Sequence, residues 1–432
     1  MDPVLTASDA TLESRAYRKV TWRLLPFLML CYVLAYVDRV NIGFARLQML
    51  GDLGFSETVY GLGAGMFFIG YFLFEVPSNL ILHRVGARMW IGRIMITWGL
   101  VSALFVFTTT PAMFYSLRFL LGVAEAGFFP GIILYLTYWY PSEHRVRMIA
   151  LFMTAVPIAG VIGSPLSGWI MEAFAGVLGW AGWQWLFLIE AVPAIVMGVG
   201  VLIYLDNGIR SAKWLTEDEK RLLERRLAED RATVAAHPSL SAVFADRRVW
   251  LLCAIYFCYV MGHYGLTFWL PVLVQTAGVE GTARIGLVTA VPYVVAVVVM
   301  LLVGHSADQR RERRWHTAVA MIVGALGLIL SVAAGSHTTA AVVSLSLAAA
   351  GVFSAGPVFW GLPTAFLGGA AAAVGIAAIN SFGNLAGFVS PYAVGWLRDL
   401  TQSTEAGMYA VAVALVVGAV AVLGIPARLV NR

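Results

Sequence analysis

Long apolar runs alternate with short charged breaks along almost the whole chain. Cut at those breaks, the runs lie at residues 20–45, 58–82, 89–109, 112–139, 147–171 and 184–205. After one polar stretch they resume at 248–275, 283–304, 316–335, 339–367, 372–396 and 405–427. A helix needs ~20 residues to cross the hydrocarbon core of a bilayer, and each run supplies about that many. The apolar residues come in unbroken stretches rather than in alternation, which argues for helices and against a β-barrel. The pattern predicts an all-α integral membrane protein with twelve transmembrane helices in two parallel six-helix bundles. The expected divisions are a cytoplasmic N-terminus at 1–19, an N-terminal bundle at 20–205, a linker at 206–247, a C-terminal bundle at 248–427 and a tail at 428–432.

Composition sharpens this. Of 432 residues, 60% are hydrophobic and only 12% charged, against about 25% charged in soluble proteins, too few to solvate a globule of this size. The basic residues then orient the spans. Arg46, Arg284 and Arg398 fall in loops on one side, Arg39 and Arg118 inside spans, and every other lysine and arginine on the side of the termini and linker. The positive-inside rule puts that side in the cytoplasm of a bacterial inner membrane. The same bias accounts for the net charge of +5 without a nucleic-acid partner. In the linker, Thr216-Glu217-Asp218-Glu219 reads as a capping box that opens a short charged helix. Cys31, Cys253 and Cys258 sit inside apolar runs and read as small buried hydrophobes, not as metal ligands or disulfides.

An internal repeat supports the division into halves. Ala159-Gly160-Val161-Ile162-Gly163-Ser164-Pro165 with Gly168-Trp169 ends the fifth span. Ala386-Gly387-Phe388-Val389-Ser390-Pro391 with Gly395-Trp396 ends the eleventh. Equivalent positions in two sixes of the same orientation imply parallel repeats about an axis along the membrane normal.

Four ionisable residues lie deep in apolar runs: Asp38 and Arg39 in span one, Arg118 and Glu125 in span four. Each costs about 2.5–3.5 kcal/mol at the bilayer centre on insertion scales, so they must face a wet cavity or one another. Arg118 and Glu125 are seven residues apart, which brings them within ~20° of one helical face and ~10 Å along it. Asp38 and Asn41 share a face of span one, with Tyr32, Tyr36 and Arg39 on the adjacent one. With both acids ionised the quartet is neutral; with both protonated, two guanidiniums want an anion, and a guanidinium fork matches a carboxylate bidentately. Anion and proton affinity are then reciprocally linked. Glu75, before Pro77, and Glu190, before Pro193, read as structural polar anchors.

These residues resemble the anion:cation symporter family of the major facilitator superfamily. The resemblance rests on Tyr36-Val37-Asp38-Arg39-Val40-Asn41 in span one and on Arg118 through Glu125-Ala126-Gly127-Phe128-Phe129-Pro130 in span four. The segments Phe359-Trp360-Gly361-Leu362-Pro363 and Asn380-Ser381-Phe382-Gly383-Asn384-Leu385 resemble its bacterial branch for tartrate, phthalate and hydroxyphenylacetate. The resemblance implies that Asp38 and Glu125 take up protons and that Arg39 and Arg118 meet the substrate anion. It makes Tyr36, Tyr71, Trp360 and Asn380 substrate contacts. Asn384, one turn beyond Asn380, shares its face, opposite the small Gly383/Gly387 face. Span seven offers Tyr256, Tyr259, His263 and Tyr264 where some family members carry a further arginine; His263 has two readings, ligand contact or packing histidine.

The expected function is import of a small organic anion (a sugar acid, hydroxy acid or aromatic acid) by proton symport with alternating access. The alternative is anion exchange without net proton movement. The expected partners are that anion, protons and membrane lipids, with the protein a monomer. No cofactor is expected, the proton gradient being the driving force. No metalloprotease signature or nucleophile–base set occurs at membrane depth, so an enzyme is not expected.

Overall fold

The computed structural model describes residues 7–233, 245–366 and 369–430; the expectations for 1–6, for 234–244 of the linker and for the last two residues fall outside them. Among the described residues, eleven helices are long and apolar enough to cross a membrane. Spans one to six are Thr11–Leu53, Glu57–Val85, Ala87–Phe107, Pro111–Leu136, Ser142–Ala173 and Gly182–Tyr204. Spans seven to ten are Arg247–Thr276, Thr282–Arg310, Arg314–Ala334 and Thr338–Pro363, and span twelve is Glu405–Leu423. Span eleven, Gly369–Thr401, is 33 residues long and carries Asn380, Ser381, Asn384 and Ser390 in its middle. The first helix begins at Ala7, so the expected N-terminal tail is largely a helical extension of span one.

The outer surface is apolar. Val76 and Leu80 of span two, Ile203 of span six and Val420 of span twelve are all more than half exposed, as lipid-facing side chains must be. Trp98, Trp139 and Trp269 are fully buried inside.

Among the described residues, four spans are interrupted, a difference from the unbroken runs read in the sequence. Span five breaks at Thr154, between Ser142–Met153 and Ala155–Ala173. Span one breaks at Asn41. Span ten breaks at Trp360, between Thr338–Phe359 and Gly361–Phe366. Span four breaks into Pro111–Glu125 and Phe128–Leu136 across Ala126 and Gly127. Gly127 has φ 84°, and a Cβ there would run into the Ser78 hydroxyl; only glycine suits that left-handed, crowded position. Ser78 of span two donates to the freed Ala126 carbonyl at 2.6 Å and accepts from Trp90 Nε1 at 2.9 Å. Irregular backbone at membrane depth is tolerated only where such partners satisfy it. The breaks in spans one, four and ten stand at or within a few residues of a predicted site residue.

The two bundles meet along two seams that use the repeat seen in the sequence. In span five, a Cβ on Gly168 would strike the Thr282 carbonyl of span eight, and one on Gly286 would strike the Ser164 carbonyl. Span eleven presents Pro391 and Gly395 to Gly61 and Glu57 of span two in the equivalent way. Both seams lie towards the face remote from the termini. There Asp399 accepts from the Glu57 and Thr58 N–H groups at 3.1 and 2.7 Å. Arg46 and Arg398 both pair with Glu57, and Glu172 accepts from the Ala283 N–H at 3.0 Å. That face is closed.

On the termini face the linker helix, Glu217–Thr233, packs against the N-terminal bundle. Its capping box is formed: the Glu219 N–H donates to Thr216 Oγ1 at 3.3 Å and the Thr216 N–H to Glu219 Oε2 at 3.0 Å. The other Glu219 oxygen, fully buried, accepts from Lys19 Nζ at 2.6 Å and Arg15 Nε at 3.4 Å.

Candidate substrate cavity

Between the bundles, at the level of the helix breaks, lies a cavity of ≈ 100 Å³. That is well above the ~10–15 Å³ a single water needs. Tyr36, Arg39 and Tyr71 form its N-terminal wall; His263, Tyr264, Trp360, Asn380 and Asn384 form its C-terminal wall. The structure thus brings together eight of the residues picked out in the sequence. Tyr256 and Tyr259 join them, with Tyr32, Phe68 and Phe353 closing the apolar parts of the wall.

Arg39 is the charge in this chamber. Its guanidinium pairs with Glu125 and donates to Tyr264 Oη at 3.2 Å. It also lies over the rings of Phe67 and Tyr71, at 5.0 and 5.5 Å from their centroids. Tyr36 and His263 share a hydrogen bond across the bundle interface. His263 lines the cavity and is packed among Tyr259, Tyr264 and Phe353. Trp360 lies against Tyr256, with ring centroids 4.8 Å apart.

The quartet itself is split. Glu125 stands behind Arg39, not on the cavity wall. Arg118 is fully buried and donates to the carbonyls of Gly63 and Ala64, both at 3.4 Å, so it grips the backbone of span two. Asp38 turns into the N-terminal bundle, where Ser102 of span three donates to it at 2.5 Å and Asn41 at 3.3 Å. Glu190 of span six accepts from Ser167 at 2.7 Å and lies within electrostatic reach of Asp38. One helical face in span four does carry Arg118 and Glu125, but the break after Glu125 and the two-turn separation give them different partners.

Glu75, read as an anchor, reaches the site. It accepts from Asn380 Nδ2 at 3.1 Å and from Asn384 Nδ2 at 3.3 Å. Ser102, Ser167 and Ser78 were not singled out from the sequence. A lone serine in a span has no periodic signature, and only its neighbours reveal what it bonds. The small face of span eleven packs as expected, Gly383 on Tyr256 and Gly387 on Phe68.

Residues 28–391 match the Major Facilitator Superfamily. The chain belongs to the major facilitator superfamily. It is 49% identical over 417 residues to a putative metabolite transport protein, NicT, of Pseudomonas putida, covering 96% of this chain and 95% of that one. It is 51% identical over 416 residues to a putative tartrate transporter of Agrobacterium vitis, with the same coverage. Relatives of this kind fit the anion-transporting branch that the motifs of spans one and four resemble. Among solved structures, a bacterial homologue of the human lysosomal transporter Spinster, inward-facing and occupied, superposes with a TM-score of 0.75 at 16% identity. That match covers 93% of this facilitator and 95% of the homologue. This member of the superfamily is a multi-pass membrane transporter and not an enzyme.

Proposed function

We propose that this facilitator imports a small organic carboxylate together with protons, by alternating exposure of the cavity to the two sides of a bacterial inner membrane. The observation that carries the reading is Arg39: a fixed guanidinium on the wall of an interbundle chamber, already engaged by an internal carboxylate, Glu125. A buried arginine whose partner acid is neutralised seeks another anion, and its fork suits a carboxylate. The tyrosines, His263 and the asparagine amides supply hydrogen-bonding groups for hydroxyl and carboxylate oxygens. Relatives named as tartrate transporters support a hydroxy-acid substrate.

Proton coupling follows from the same pair. A proton on Glu125 frees Arg39 for the substrate, so each ligand favours the other. Asp38, held only by neutral donors, is the second proton site. The closed face then corresponds to the periplasmic side and the linker face to the cytoplasm, as the distribution of arginines implies. The test is uptake of tartrate and a panel of sugar and aromatic acids into proteoliposomes under an imposed pH gradient. Glu125→Gln is expected to abolish accumulation while exchange survives. Normal accumulation by Glu125→Gln would remove the coupling role, and uptake that moves no protons would favour anion exchange instead.

A further inference from the structure

Asn380 and Asn384 stand one turn apart on span eleven, and both line the cavity. Their amide donors point at a single carboxylate, that of Glu75 on span two, one amide to each oxygen. A substrate carboxylate seated on those asparagines would take the same two bonds. Glu75 is 6% exposed and makes no ion pair that the described residues show. The groups that act on it are Arg39 of span one, Tyr71 of its own span and Tyr256 of span seven, besides the two asparagines. Neutral amides compensate a buried carboxylate only in part. The contact also joins the bundles on the termini side of the seams, so it cannot persist unchanged if that side opens.

We propose that Glu75 is an internal stand-in for the substrate carboxylate: in the empty cavity it occupies Asn380 and Asn384, and the organic anion must displace it to bind. This deepens the function proposed above and rests on it. The arrangement sets specificity in two ways. A guest must offer an acceptor good enough to replace a carboxylate at two amides, and it must overcome the repulsion of the carboxylate it evicts. An anion that reaches from Arg39 in one bundle to the asparagines in the other also restores the tie that Glu75 gives up. An anion too short to span them does not.

Binding of tartrate to the full-length protein, measured by titration calorimetry, tests this in the wild type, Glu75→Gln and Glu75→Ala. Glu75→Gln keeps the shape and removes the charge, and a single cooperative ligand-free melting transition shows that it is folded. Tartrate is expected to bind both variants about tenfold more tightly, the change that follows from sparing one net hydrogen bond to a charged group. Equal or weaker binding by the variants, with the wild type binding, overturns the proposal and leaves the organic-anion function standing. Absence of binding in all three proteins, for tartrate and for every sugar and aromatic acid of the panel, overturns both. A ligand-free cycle of Glu75→Ala and Asn384→Ala reads the resting contact directly: coupled melting shifts are expected, and additive ones refute it.

Discussion

Arg39 and Arg118 are the same side chain in two helices of one bundle, put to different uses by what surrounds them. Arg39 meets a carboxylate, a phenol and a cavity; Arg118 meets two backbone carbonyls and the Phe67 ring. The two Lys substitutions are therefore expected to fail differently. Arg39→Lys retains the fold but loses uptake, because an ammonium cannot serve Glu125, Tyr264 and a substrate carboxylate from one fork. Arg118→Lys removes a donor that bridges two consecutive carbonyls in a buried site, so its melting temperature falls whether or not substrate is present. Paired melting curves and uptake assays separate the two; a thermally intact Arg118→Lys that fails to bind anion would move Arg118 back into the site. The types of these residues were legible in the sequence, as was the cost of burying them. Their partners were not, because a rotamer choice of a few ångströms decides whether a guanidinium reaches a carboxylate or a carbonyl.

At the scale of elements, the linker helix shows how a local signal acquires a tertiary role. The Thr216–Glu219 capping box was readable from spacing alone, and the helix forms where expected. That the same glutamate also anchors the helix to Lys19 and Arg15 was not readable, since the partners lie some two hundred residues away. Burial alone would raise the Glu219 carboxyl, but the Lys19 ammonium, the Thr216 N–H and Arg15 outweigh it and hold it below its ordinary value. A depressed carboxylate stabilises the folded form above its unfolded value and ceases to do so as pH falls through the folded one. Docking of 217–233 is thus expected to be full at neutral pH and to loosen below about pH 4.5. Glu219→Gln should loosen it at all pH values. Amide exchange of that segment, corrected for intrinsic rates, measures both, and protection unchanged by Glu219→Gln would show that the ion pairs do not hold the helix. The breaks at Asn41, Gly127 and Trp360 belong to this scale too. Hydropathy runs straight through them, because a break changes backbone angles without changing apolar content.

For the whole molecule, the decisive contacts are the two glycine-mediated seams that close one face. Gly168→Val is expected to hold spans five and eight apart and to favour the conformation open on that face. Its signature is the reactivity of a cysteine placed at Thr289, a buried position of span eight, towards a membrane-impermeant maleimide. The background would carry alanine at Cys31, Cys253 and Cys258. Labelling several-fold faster than with Gly168 intact is expected; an unchanged rate would show that the seam does not govern closure.

Twelve apolar runs, a biased set of arginines and a repeated Ala-Gly, Ser-Pro, Gly-Trp pattern were enough to determine the membrane class and the six-plus-six division, while most of the cavity wall was picked out only through the resemblance of short motifs to a known family. These are properties of single segments, summed along the chain, and the bilayer imposes them on each helix separately. The tertiary structure alone decided which buried charges meet: Arg39 with Glu125, Asp38 with Ser102, Glu75 with two asparagines three hundred residues away. Pairing depends on helix rotation, on breaks within spans and on the closeness that small residues allow between bundles. Those variables belong to the packed assembly of helices and are invisible in any one of them.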